Sequence, residues 1–193
     1  MPVSDEYIIE PKAGLDVIST IDMHLQDVAS RALEKQLLHH NAAWGTVILM
    51  EVATGKIRAL ANLTREGNGD GDEQPSYYES YNHAIGTAVE PGSTFKLASL
   101  MAAMEAGGVQ PEDQVDTGNG VVTFHGRKMS DSNADEGGNG IIDLEQIFAL
   151  SSNIGTALTV KNAFNENPQK FLDALDHLGV SQPTGVLLHG EAE

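Results

Sequence analysis

The sequence contains no cysteine, and basic side chains are scarce among its charged residues. The missing thiols exclude disulfides, thiolate catalysis and cysteine–zinc sites within this chain. Lysine and arginine together number 11 and aspartate and glutamate 28, which gives a formal net charge of -17 at pH 7. Such a chain repels polyanions, which argues against nucleic acid as a partner and against electrostatic docking on anionic lipid.

Long hydrophobic runs are also missing, because no apolar stretch approaches the roughly 20 residues that a membrane-spanning helix needs. Residues 1–6 carry neither the basic region nor the apolar region of a secretory signal. Hydrophobic residues still make up 40% of the chain and charged residues 20%, which is typical of a globular protein. A chain of 193 residues can bury a real core, and we expect one domain or a large piece of one.

One heptapeptide, residues 90–96, organises the rest of the sequence. Pro91-Gly92 breaks any preceding element, and apolar residues at helical spacing follow it. Ser93 then lies at or just before the first turn of a helix, where free backbone N–H groups favour an anion or a developing oxyanion. The spacing predicts a buried or half-buried helix over residues 94–106, with its apolar positions at Leu97, Leu100, Met101 and Met104.

Lys96 follows Ser93 by about one helical turn, so its amine can reach back to the serine hydroxyl. A serine needs a neighbouring base to become a nucleophile, and a lysine kept neutral by burial can serve. A lone Ser-x-x-Lys pair is weak evidence for catalysis, because most such serines are ordinary N-caps. The pair therefore indicates acyl transfer only together with its surroundings.

A second polar group, Ser151-Ser152-Asn153, interrupts an apolar stretch between Phe148 and Ile154. Burying two hydroxyls and an amide is costly unless they are hydrogen-bonded. A turn between two helices explains these residues structurally, and a polar site explains them functionally. Both interpretations stand on the residues alone.

The remaining periodic segments predict a mixture of helices and hairpins. Residues 109–119 are a predicted loop. A first helix is predicted from a cap at Thr20 or Asp22 to about residue 40, and later helices over residues 143–150, 157–164 and 167–178. Hairpins are predicted over residues 44–63 and 121–129.

Two features invite a metal interpretation, and we expect neither to bind one. His39-His40 closes a predicted helix, where cationic side chains are favoured. The acidic loop over residues 64–80 matches part of a calcium-loop template, but Glu73 stands where that template needs glycine. The matching calcium positions are Asn68, Asp70, Asp72 and Glu79. A solvated surface loop is the expected structure there.

With both polar motifs considered, the chain resembles the transpeptidase domain of class B penicillin-binding proteins, most of all the division-specific (septal) D,D-transpeptidase. The family's fingerprint is Ser-x-x-Lys, a Ser-x-Asn element and Lys-Thr-Gly. Ser93-Thr94-Phe95-Lys96 matches the first and Ser151-Ser152-Asn153 the second. The resemblance covers about residues 8–190, including the approach over residues 14–26 and the turn Ala53-Thr54-Gly55-Lys56. It implies an α+β fold like that of penicillin-binding proteins and serine β-lactamases, with a helical subdomain and an incomplete antiparallel sheet.

The third motif, Lys-Thr-Gly, is missing. Lys12-Ala13-Gly14 lies at the wrong end of the chain, and Pro183-Thr184-Gly185 lacks the lysine. We therefore expect residues 1–193 to be a partial transpeptidase domain, truncated before the Lys-Thr-Gly strand and weakly active or inactive alone. The resemblance implies a location on the extracytoplasmic (periplasmic) face of the bacterial inner membrane, with the membrane anchor outside this chain.

The resemblance also implies a mechanism and partners. Ser93 would attack the penultimate D-alanine carbonyl of a peptidoglycan stem peptide, release the terminal D-alanine and pass the acyl group to a neighbouring stem. Lys96 would be the base, Ser151 a proton relay to the leaving nitrogen, and Asn153 the holder of Lys96 and of the substrate amide. No cofactor and no metal are implied; the implied partners are D-Ala-D-Ala stem peptides, β-lactam antibiotics and proteins of division and cell-wall synthesis.

Two alternatives remain open. A serine β-lactamase shares the fold and the Ser-x-x-Lys pair, although we identify no glutamate placed as its deacylating base. A β-lactam-binding sensor would keep the same motifs and differ only in what flanks the domain.

Overall fold

The computed structural model describes residues 14–67 and 75–188. Most of the calcium-like pattern, Asn68 to Glu73, lies outside the described residues, as do Lys12 and Ala13. The chain divides into two compact units, the first built on residues up to Ala88 and the second comprising Val89–Leu187. All four candidate site residues belong to the second unit.

The first unit is a helix followed by a small antiparallel sheet. Helix α1 (Met23–His40) begins where the Asp22 carboxylate accepts hydrogen bonds from the backbone N–H groups of His24 and Leu25. It ends at Asn41, in the left-handed conformation that suits a helix C-terminus. The sheet has the order β1-β2-β3, and a short helix α2 follows it. The bounds are β1 (Trp44–Met50), β2 (Ile57–Arg65), β3 (Tyr77–Tyr78) and α2 (His83–Gly86).

The core of this unit lies between α1 and β2. Ala59 and Ala61 of β2 have no exposed surface, and they pack with three buried residues of α1, namely Ala29, Leu33 and Leu37. The helix also lies close to β1, because a Cβ placed on Gly45 would come within 2.9 Å of a Leu37 methyl carbon. The predicted helix and hairpin are therefore confirmed, with small residues where the helix meets the sheet.

The second unit is mainly helical and carries two pairs of short antiparallel strands. It starts with a single 3-10 turn (Gly92–Thr94) that leads directly into helix α3 (Phe95–Glu105). The later helices are α4 (Leu144–Ala149), α5 (Asn153–Phe164) and α6 (Gln169–His177). The strands are β4 (Gln114–Asp116), β5 (Val121–Phe124), β6 (Arg127–Ser130) and β7 (Ile141–Asp143).

The predicted loop over residues 109–119 is partly wrong. Strand β4 lies within it and pairs with β7, so that Val115 stands opposite Ile142. Strand β4 has only three residues and one inward side chain, so its alternating pattern is too short to predict a strand. Its partner β7 lies more than 20 residues away in the chain. The small hairpin of β5 and β6 is confirmed, with Val121 opposite Ser130 and Phe124 opposite Arg127.

Helix α3 was correctly located from the sequence, but its buried face differs from the predicted one. Leu100 is buried, whereas Leu97, Met101 and Met104 keep 51%, 44% and 41% of their surface exposed. The helix is apolar on most sides, so periodicity alone does not determine which side its neighbours cover. Ser99, Leu100, Ala102 and Ala103 are the buried residues, and α5 and α6 both contact the helix.

Within the described part of the chain, no helix combines the length and the hydrophobicity that crossing a bilayer requires.

Candidate active site

Ser93 lies in the 3-10 turn at the entrance to α3, as the sequence predicted. Gly92, just before it, has a φ of 58°, in the left-handed region that glycine enters without strain. Thr94 Oγ1 donates a 2.6 Å hydrogen bond to Pro91 O and closes the turn. The turn leaves Ser93 exposed to solvent at the helix N-terminus.

Lys96 brings two of the predicted site residues together. Its amine nitrogen lies 3.3 Å from Ser93 Oγ and 3.0 Å from Ser151 Oγ, although Ser151 is 55 residues away in sequence. It also donates a 2.5 Å hydrogen bond to the backbone carbonyl oxygen of Ser151. One amine thus connects the two serine hydroxyls that the sequence motifs singled out.

Partial burial lowers the pKa of the Lys96 amine from its ordinary value, because the protonated form loses hydration. The negative charge of Asp131 opposes this effect and raises the same pKa. The direction that prevails is downward, which increases the fraction of neutral amine at a given pH. A neutral amine is the form that can accept a proton from Ser93.

Ser151 adopts a left-handed backbone conformation with a φ of 52°. Only glycine, and occasionally asparagine or aspartate, visits this region routinely. The residue follows α4 at the turn into α5, and the turn directs both the carbonyl oxygen and the hydroxyl of Ser151 to Lys96. The Ser151-Ser152-Asn153 group is therefore both a helix–helix turn and part of the polar cluster.

Asn153 is the first residue of α5, and its side chain is exposed. Its Nδ2 donates a 2.8 Å hydrogen bond to Ser130 O at the end of β6. The expected hydrogen bond from Asn153 to Lys96 is absent among the described residues, where Lys96 bonds to Ser93 and Ser151. Asn153 and Lys96 nevertheless line one cavity of about 890 Å³, together with Ser130.

Asp131 is the residue that the sequence reasoning missed. It is 5% exposed and lies just after β6, beside the first turn of α5. No local pattern singles it out, because its partners Ser152, Asn153 and Ile154 are more than 20 residues away in the chain. Its only sequence signal is a lone carboxylate directly after a short predicted strand.

No group of three or more histidine, cysteine, aspartate or glutamate side chains in residues 14–67 and 75–188 is arranged to hold a metal ion. The cluster of Ser93, Lys96 and Ser151 instead combines a hydroxyl at the entrance to α3, a partly desolvated amine and a second hydroxyl that also contacts this amine. Such a set can move a proton from a nucleophile to a leaving group.

Comparison with known proteins places these motifs in a family. Residues 45–193 match the penicillin binding protein transpeptidase domain. The probable peptidoglycan D,D-transpeptidase PbpC of Pseudomonas aeruginosa is 30% identical over 182 residues, which are 94% of this chain and 31% of PbpC. The chain therefore spans about a third of that relative's length.

Solved structures agree with this match. A peptidoglycan glycosyltransferase from Burkholderia ambifaria has a TM-score of 0.73 and 26% identity, with 90% of this chain and 48% of that chain covered. Penicillin-binding protein 3 of Mycobacterium tuberculosis, complexed with ampicillin, has a TM-score of 0.70 and 25% identity. That comparison covers 89% of this chain and 37% of the other. The chain therefore belongs to the transpeptidase domain family of the penicillin-binding proteins, as its two motifs predicted.

Proposed function

We propose that this chain carries the nucleophile, the base and the Ser-x-Asn element of a peptidoglycan D,D-transpeptidase. The observation that supports this most directly is the Lys96 amine, which lies within hydrogen-bonding distance of Ser93 Oγ and of Ser151 Oγ. Family membership supports it as well, since the relative PbpC is described as a probable D,D-transpeptidase. The ampicillin complex of the Mycobacterium protein supports β-lactams as ligands.

In the first step, Ser93 Oγ attacks the carbonyl of the penultimate D-alanine while neutral Lys96 takes the hydroxyl proton. The new bond is an ester to Ser93, and the bond that breaks is the peptide bond to the terminal D-alanine. The leaving nitrogen needs a proton, and Ser151 can relay one from Lys96, since its hydroxyl lies 3.0 Å from that amine. An amine from a second stem peptide then attacks the ester and restores Ser93.

Asn153 has a separate role in this proposal. One N–H of its amide donates to Ser130 O, and the amide oxygen, which accepts no hydrogen bond from residues 14–67 and 75–188, can accept one from a substrate N–H. The nearby cavity of about 890 Å³ gives a peptide room beside Lys96 and Asn153. Because peptidoglycan lies outside the cytoplasm, we place this chemistry on the extracytoplasmic face of the inner membrane, with division and cell-wall synthesis proteins as partners.

The test uses this chain extended to the complete transpeptidase domain, called the native protein below, because the chain alone is expected to be weakly active or inactive. It is acylation by a β-lactam, followed by intact-protein mass spectrometry. Ring opening adds the whole antibiotic to the nucleophile, so the native protein should gain its full mass on a peptide that contains Ser93. Ser93→Ala should gain none. The matched control is Ser132→Ala, which removes an exposed hydroxyl and should be acylated like the native protein. Acylation of the Ser93→Ala variant would refute the assignment of the nucleophile.

A second measurement separates the related activities. A synthetic stem peptide ending in D-Ala-D-Ala should lose D-alanine and become linked to an added acceptor amine. Rapid hydrolysis of the β-lactam with repeated turnover would instead indicate a serine β-lactamase. A stable acyl-protein without reaction on the stem peptide would indicate a sensor.

A further inference from the structure

Asp131 is a buried carboxylate with an unusually complete set of donors. Its Oδ1 accepts from the backbone N–H of Asn153 at 2.6 Å and from that of Ile154 at 3.0 Å. Its Oδ2 accepts from the Ser152 hydroxyl at 2.8 Å and from Asn139 Nδ2 at 3.3 Å. An ionised carboxylate is an acceptor-only group, so four donors match it without any unfavourable pairing.

Three of these donors belong to the first turn of α5 or to its cap, which directly follows Ser151. The Ser152 hydroxyl caps the helix by accepting from Gly155 N at 2.8 Å, and its own O–H donates a hydrogen bond to Asp131 Oδ2. The carboxylate also faces the positive end of the helix dipole. Asp131 therefore determines where the chain segment immediately after Ser151 lies.

The carboxylate is itself fixed by the segment on its other side. Asp131 N donates to Gly120 O at 2.9 Å, and Asn139 receives a 2.8 Å hydrogen bond from Asn133 Nδ2. Gly138 packs so closely on the preceding loop that a Cβ there would lie 2.2 Å from Gly120 N. Asp131 thus connects a tightly packed loop to the start of α5.

From these contacts we propose that Asp131 is a positioning residue for the reaction proposed above, on which this inference rests. It fixes the turn at Ser151 so that the carbonyl oxygen and the hydroxyl of this residue stay on the Lys96 amine. The left-handed backbone of Ser151 makes such support necessary, because a serine does not hold this conformation without surrounding contacts. Asp131 touches neither Ser93 nor the Lys96 amine through a hydrogen bond in the described residues.

An asparagine at position 131 would keep the shape of the side chain but not all of its hydrogen bonds. Its oxygen could still accept from Asn153 N and Ile154 N, but its NH₂ group would face the NH₂ group of Asn139. The change would also remove the negative charge that opposes the lowered pKa of Lys96. Asp131→Asn therefore disturbs the position of the turn and the charge near Lys96 at once.

The experiment measures the second-order rate of acylation by a fluorescent penicillin as a function of pH. The matched control is Asp143→Asn, since Asp143 caps α4 through its carboxylate and, among the described residues, forms no hydrogen bond with the Ser151-Ser152-Asn153 group. We expect Asp131→Asn to lower the plateau rate about 10²-fold, as a misplacement of roughly 1 Å does. We also expect the midpoint of its pH–rate profile to move to lower pH, whereas Asp143→Asn should change neither quantity.

The fall in the plateau rate reports positioning, and the direction of the midpoint distinguishes removal of the Asp131 charge from general damage to the site. A loosened site would admit water to Lys96 and move the midpoint to higher pH. A plateau rate of Asp131→Asn within about threefold of the native protein, or a midpoint moved to higher pH, would overturn the proposal. Both measurements require that the native protein is acylated at Ser93. If the native protein is not acylated there, the proposed function fails first.

A second variant covers the case in which Asp131→Asn does not fold, as judged by circular dichroism and thermal melting. Asp131→Glu retains the charge but moves it by one methylene group, so the midpoint should stay and the plateau rate should fall at least tenfold. Asp143→Glu is its control. A native plateau rate for Asp131→Glu would show that the placement of the carboxylate is unimportant and would overturn the inference.

Discussion

The left-handed backbone of Ser151 yields a prediction that separates stability from activity. Its φ of 52° costs a residue other than glycine roughly 1–2 kcal/mol. The conformation is held by functional contacts, since the carbonyl oxygen and the hydroxyl of Ser151 both reach the Lys96 amine. A substitution that removes both the strain and the hydroxyl should therefore give a more stable fold than one that removes the hydroxyl alone, and both substitutions should impair the proposed reaction.

The perturbation is the pair Ser151→Gly and Ser151→Ala. Both variants lose the hydroxyl contact with Lys96, so the difference between them isolates the backbone. Glycine relieves roughly 1–2 kcal/mol of strain but loses about 0.5–1 kcal/mol because it is more flexible when unfolded. The glycine variant should be more stable than the alanine variant by about 0–1.5 kcal/mol, which is at most about 6 °C in Tm for a chain of this size.

The assay is a thermal melt of both variants, with fluorescent-penicillin acylation measured in parallel. Acylation should fall about 10²–10⁴-fold in both, which is the usual contribution of a positioned proton-transfer group. The control pair is Asn162→Gly and Asn162→Ala, at an exposed position inside α5. There glycine should be the less stable variant by about 1 kcal/mol. An alanine variant at position 151 that is more stable than the glycine variant by about 1 kcal/mol, as expected at Asn162, would refute the strain argument, and native acylation by either Ser151 variant would refute the relay.

Two further predictions concern Lys96. Ser93→Ala and Lys96→Ala should each abolish labelling by fluorescent penicillin, and the double variant should be no worse, because residues that act as a unit lose activity non-additively. Full labelling of Lys96→Ala would exclude lysine as the base. Because loss of hydration lowers the pKa of Lys96, acylation should rise with pH and level off above that pKa, with a midpoint below the ordinary lysine value of about 10.4. Lys96→Arg, which stays protonated, should be inactive throughout, and a native rate that is independent of pH would contradict the base role.

The parts of the fold and site that could be predicted are those whose signal is local. Ser93 and Lys96 are three residues apart, so helical geometry alone places the amine near the hydroxyl, and their separation in the structure is 3.3 Å. The caps behave in the same way, since Asp22 and Asp143 begin α1 and α4 through carboxylates that bond to nearby backbone N–H groups. In each case the residues that form the contact lie within one short segment of the chain, so the sequence of that segment is enough to predict it.

The parts that could not be predicted depend on contacts between distant segments. Asp131 acquires its role from Ser152, Asn153 and Ile154, and its own neighbours in sequence do not distinguish it from a solvated surface aspartate. Strand β4 likewise exists because β7 pairs with it, and three residues carry too little alternation to show this. The exposed side of α3 could not be predicted either, since packing by α5 and α6 decides which apolar positions are covered.

The same distinction explains how a lysine can act as a base in a chain with so many carboxylates. The Ser151 carbonyl oxygen can only accept a hydrogen bond, so one N–H of the Lys96 amine must point to it. A neutral amine has one further N–H and one lone pair. The Ser151 hydroxyl at 3.0 Å can accept from this N–H, and the Ser93 hydroxyl at 3.3 Å can donate to the lone pair. A protonated amine satisfies all three contacts with its three N–H groups, and a neutral amine satisfies them as well when the Ser93 hydroxyl donates to its lone pair, the arrangement in which Lys96 can receive the Ser93 proton. The helix supplies one of these contacts locally, and the strained turn at Ser151 supplies the other two from across the unit. The lowered pKa of Lys96 and the direction of its amine are thus properties of the tertiary structure, which no spacing within residues 93–96 could provide.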